Sequence, residues 1–126
     1  MSYKTRKLAG YDAILTELYA DFDLEQEIGQ VDMDTIAILE ASDRKLAIII
    51  DFQTKLNFED ILLGANTVAR GEAPVWHHPK VKKVYLVSND PAIQAVAKGM
   101  SSPTFGSLNI QVVHSVDEAK VHVPTI

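Results

Sequence analysis

Two hydrophobic periods alternate along the chain. Tyr3 to Leu8 and Ala13 to Tyr19 flank the tetrapeptide Ala9-Gly10-Tyr11-Asp12. Ile14, Leu15, Leu18 and Tyr19 suit half-buried strands, so this segment predicts an N-terminal antiparallel hairpin. Leu24, Ile28, Val31, Thr35 and Leu39 then recur at helical spacing, with Ile36 and Ile38 on the apolar side and acids between them. That is the pattern of an amphipathic helix, weakened at Gly29. Leu46-Ala47-Ile48-Ile49-Ile50 does not alternate at all and ends at Asp51. An unbroken apolar run of this length predicts a strand covered on both faces.

The second half repeats the alternation of helix and strand. Asn57 can cap a helix running from about Phe58 to Arg70, with Glu59 and Asp60 in its first turn and Gly71 as its stop. Val81 to Ser88 predicts another buried strand, and Asn89-Asp90-Pro91 supplies a cap followed by proline at the first helical position. A third helix follows to about Met100. After a loop marked by Pro103 and Gly106, Ile110 to Val113 gives the last strand, and Ser115 with Glu118 forms a capping box for a short final helix. The order ββαβαβαβα predicts an α/β fold: a mixed, mainly parallel sheet of about five strands, with the hairpin as its antiparallel edge and helices mainly on one side.

Length and composition narrow the setting. A chain of 126 residues suits one domain spanning 1–126, and its apolar and charged fractions of 47% and 23% are those of a folded protein. The absence of cysteine excludes disulfides, thiolate metal sites and cysteine nucleophiles. With no secretory leader or spanning run apparent, a cytoplasmic protein without membrane insertion is expected. The formal charge is −5 and the bases are scattered in sequence apart from Lys80, Lys82 and Lys83, so no nucleic-acid partner is expected.

The order of elements, with Ile50-Asp51 leading through Phe58-Glu59-Asp60-Ile61-Leu62-Leu63-Gly64, resembles the SpoIIAA-like group related to STAS domains, the anti-anti-sigma-factor fold. His78-Pro79 before a buried strand, Ser88-Asn89 at its end, Ala97-Lys98-Gly99 in the third helix and Ser115-Val116-Asp117-Glu118-Ala119 in the last extend the likeness over nearly the whole chain. In anti-anti-sigma factors a strand ending in Asp leads to an Asp-Ser pair opening the next helix, and phosphorylation of that Ser switches binding to a partner kinase. Glu59-Asp60 stands at the matching positions, so the switchable hydroxyl is missing. Asp60 would instead carry a permanent charge, smaller than a phosphate's. The group also includes proteins compared with CRAL-TRIO lipid-binding domains, which implies a small apolar ligand as an alternative.

Candidate chemistry is sparse. Asp51 ends the central strand at the side of the sheet where α/β folds place ligands, although strand-ending Asp also serves ordinary turns. Asn57, Glu59 and Asp60 could extend an acidic recognition patch, although helix capping and the helix dipole already explain them. Thr54 beside Lys55 is the nearest hydroxyl for a modification. Trp76 is either a core anchor or an interaction residue. His77 and His78 point apart and lack a third donor, so no metal site is assigned. Ser88-Asn89-Asp90 is accounted for by capping alone. None of the serines lies in a Gly-x-Ser-x-Gly elbow, the glycines match no nucleotide fingerprint, and adjacent carboxylates are not an opposed acid and base.

The expectation is a non-catalytic binding or regulatory module with no cofactor, acting through Asp51, Asn57, Glu59 and Asp60 on an unidentified protein partner. A small apolar-ligand or lipid carrier is the alternative, and an enzyme without a recognisable motif the second. An open sheet edge also leaves room for a homodimer.

Overall fold

The turn at Ala9-Gly10-Tyr11-Asp12 folds the chain back on itself in the computed structural model, which describes residues 2–55, 59, 75, 78–100 and 109–123. Gly10 takes φ 84°, a backbone angle that costs glycine nothing. The Leu8 amide then donates to the Ala13 carbonyl at 3.0 Å. The flanking strands are β1 (Tyr3–Lys7) and β2 (Ala13–Leu18), paired antiparallel with Thr5 opposite Thr16.

Helix α1 (Leu24–Ala41) follows, capped by Asp23, whose Oδ1 accepts from the Gln26 amide at 3.2 Å. It leads to β3 (Leu46–Phe52), and β4 is Val81–Val87. Helix α2 (Pro91–Met100), β5 (Ile110–Val113) and helix α3 (Val116–His122) complete the described elements. The helix expected over about Phe58–Arg70 lies outside the described residues, apart from Glu59, which is helical and exposed.

The strands stand in the order β1-β2-β3-β4-β5, and every pair after the first is parallel. Each parallel step moves the same way across the sheet. Right-handed crossovers then put their helices on one face. Accordingly Leu39 of α1 and Ile93 and Ala97 of α2 pack with Ile14, Ile48, Val84 and Leu86. The other face carries Ala13, Leu15, Ala47, Ile49, Tyr85 and Val113, packed beneath Ala119 of α3 and Val123, the residue that ends it. The described helices therefore lie on both faces, two on one and the short α3 on the other.

The unbroken apolar run of β3 has this two-sided burial as its cause, since both Ile48 and Ile49 are sealed from water though they point opposite ways. Thr35, buried in α1, returns its hydroxyl to the Val31 carbonyl at 2.8 Å, and Thr16 shares a 3.1 Å hydrogen bond with Thr5. Buried hydroxyls are thereby satisfied without water. No described helix is long and apolar enough to cross a membrane.

Candidate functional site

Parallel strands β2 to β5 all end at one edge of the sheet, and their last residues line it. Register sets Glu17 of β2 directly beside Asp51 of β3. Both follow the strand alternation of Leu15 and Ile49, so their carboxylates share the face that α3 covers further along the sheet.

Like charges opposed across a strand pair are unfavourable. Two side chains relieve this pair. Gln53, just past the end of β3, donates through Nε2 to Asp51 Oδ2 at 3.0 Å and to Glu17 Oε2 at 3.3 Å. From β1, Arg6 Nη1 lies 2.5 Å from the other Glu17 oxygen. The Gln53 amide also donates to the Asp51 carbonyl at 3.1 Å, which curls the chain so that the side chain returns to the edge.

Tyr19 adjoins this group, and its phenol is pushed above the ordinary value of 10.0, first by lost solvation and then by the charge and hydrogen bond of Glu17, with Arg6 opposing. Register also sets Lys4 directly across from Glu17, so Lys4 and Arg6 together match the charge of Glu17 and Asp51, and what the group offers is a row of acceptor oxygens. Such a group receives ammonium, guanidinium or amide donors.

The same edge continues along β4 and β5. Ser88 donates its amide to the Val113 carbonyl at 3.0 Å, extending the ladder. Asp90 caps α2 by accepting from the Ala92 amide at 2.9 Å, while Ser88 Oγ accepts from the Asp90 amide at 3.0 Å. Asn89 departs from the expected capping role: its Oδ1 meets His114 Nδ1 at 2.6 Å, tying the end of β4 to the end of β5. The amide oxygen can only accept, so Nδ1 is the donor of this contact. Ser115 caps α3 as expected, but Glu118 returns its carboxylate to the amide of His114, 2.7 Å away, rather than to that of Ser115.

Of the residues singled out from sequence, Asp51 is half-buried at this edge and Glu59 is exposed in a helix, while Asn57 and Asp60 lie outside the described residues. Thr54 is half-buried in the bend after β3 and Lys55 is exposed. Trp76 and His77 fall outside the described residues. His78 Nδ1 accepts from the Lys80 amide at 3.1 Å, which makes it a turn residue. Among the described residues no group of three metal-capable side chains converges.

Glu17, Arg6 and Gln53 escaped the sequence reading because their meeting depends on register between strands distant in sequence. No local spacing announces it. Comparison with known proteins leaves the geometry to stand alone: no family model, curated protein or solved structure matches the chain.

Proposed function

We propose that this chain is a non-catalytic binding or regulatory domain of STAS-like type whose working surface is the carboxyl edge of the sheet around Asp51. One observation carries the reading: Gln53 holds the Glu17 and Asp51 carboxylates side by side at strand ends. Two carboxylates fixed in this way face a partner with their repulsion already balanced, so less conformational freedom is lost when a cationic group docks. Exposed Glu59, eight residues on from Asp51 in sequence, is a second candidate acid. The partner class this chemistry recognises is a protein surface presenting Lys or Arg side chains.

The test is capture from a lysate of the native cell by the immobilised chain, comparing wild type with Asp51→Asn/Glu59→Gln. Loss of a captured protein, with the unfolding midpoint held within a few degrees, supports the reading. Equal capture by the double variant overturns it.

A further inference from the structure

The bases that look scattered in sequence are gathered in space. Leu46 pairs with Val81 and Ala47 with Lys83, so Lys80, Lys82 and Lys83 stand where β3 and β4 begin. Arg44 and Lys45 precede β3 directly. Lys7, at the end of β1, reaches back to the carbonyls of Leu8 and Tyr11 in the first turn. All six belong to the amino edge of the sheet.

The opposite edge is acidic. Glu17 and Asp51 end their strands, Asp21, Asp23 and Glu25 lie between β2 and α1 or open the helix, and Asp90 caps α2. Asp12, which pairs with Arg44, together with Glu40 and Asp43 at the basic edge, and Arg6, which pairs with Glu17, together with Lys4 and Lys55 at the acidic one, dilute this division without reversing it.

Helix dipoles account for part of the acidic edge, because every described helix starts there. They do not account for the basic edge. Its six residues come from strands and loops, and α1 ends without a basic residue in its last turn. The seven residues of β3 hold the edges about 20 Å apart at roughly 3.3 Å per residue. That exceeds the physiological screening length of about 8 Å, so each edge presents its own sign to a neighbour.

We propose that this chain associates with a second copy of itself head to tail, the basic amino edge of one docking on the acidic carboxyl edge of the next. The inference rests on the proposed function in treating the carboxyl edge as a contact surface, and names an occupant for it. A two-fold dimer through either edge would set like charges against each other. Among end-to-end contacts only the heterologous arrangement matches the signs, and it leaves one edge of each sign unfilled unless a ring closes.

The experiment is sedimentation of the full chain across salt and protein concentration. In about 0.1 M salt, where screening reaches about 10 Å and still falls short of the distance between the edges, wild type is expected to grow in mass with concentration; in about 1 M salt, at about 3 Å, it reverts to one chain. Lys45→Glu/Lys82→Glu alters exposed residues of the basic edge, and Asp21→Lys/Glu25→Lys alters exposed residues of the acidic edge. Each variant alone is expected to lose association. Mixed in equal amounts they restore it as a complex that stops at two chains, since each retains one native edge.

A single-chain wild type at low salt overturns the proposal. So does association that either variant retains, or that high salt leaves intact. Lysate capture by Lys45→Glu/Lys82→Glu separates the two readings: this variant keeps Asp51 and Glu59, so its capture of another protein persists even where self-association fails.

Discussion

Arg44 Nη2 lies 2.6 Å from Asp12 Oδ2, so a half-exposed guanidinium closes over a carboxylate whose side chain is 8% exposed. The second oxygen, Asp12 Oδ1, is buried without a hydrogen-bond partner among the described residues. Arg44 is therefore the main compensation for that charge, and the pair is asymmetric. Removing the base strands a buried anion. Removing the acid releases a cation to water.

Arg44→Ala is accordingly expected to cost about 1–3 kcal/mol, the penalty of a buried group left unsatisfied. Asp12→Asn should cost less. Urea unfolding of both variants checks the order, and a larger loss from Asp12→Asn would show that Arg44 is not what compensates the acid.

Asp32 in α1 is half-buried, and that burial pushes its carboxyl from 3.8 to about 6. Its folded-state value thus lies above the unfolded one. The folded chain holds the extra proton, so this contribution to stability is complete below about 3.8 and is lost as the pH rises through about 6. Asp32→Asn should flatten the stability profile between those values and raise stability at pH 7. Unchanged slopes in thermal melts across that window would contradict the assignment.

Tyr3 ties the edge strand to α1 by donating its hydroxyl to Asp34 Oδ2 at 2.8 Å. Burial, then that hydrogen bond and the charge of Asp34, push its phenol up to about 12. The stabilisation is present below the ordinary value of 10.0 and lost as the pH rises through about 12. In an ultraviolet titration Tyr3→Phe should delete the latest-ionising phenol, and cost about 1 kcal/mol at neutral pH.

Gly29 sits inside α1, and a Cβ built there meets no described atom within 4 Å. Alanine removes backbone freedom from the unfolded chain without crowding the folded one. Gly29→Ala should stabilise by about 0.5–1 kcal/mol. A lower melting temperature would mean that the position needs its glycine for something other than the helix.

How far the sequence speaks depends on the range of the interaction involved. β3 is readable as a two-sided strand because Leu46 to Ile50 carries its burial in adjacent residues. The cap at Ser115 is readable because donor and acceptor are three residues apart. By contrast Glu17 meets Asp51 only through the register of β2 on β3, and Asn89 meets His114 only where β4 and β5 end together. The segregation of charge is hidden for the same reason: Lys7, Arg44 and Lys82 share an edge through topology, while the chain order separates them. Asp51 itself is recoverable as a strand end, but its companions are not.

The uniform winding of the sheet has a consequence for recognition. Open α/β sheets form a ligand crevice where successive connections leave for opposite faces. Here β2 to β5 advance in order, with α1 and α2 on one face, so the strand sequence contains no such reversal. The carboxyl ends of β2 to β5 therefore make a continuous ledge. A ledge offers its side chains in a row, from Glu17 through Asp51 to Asn89 and His114, rather than converging them on one point.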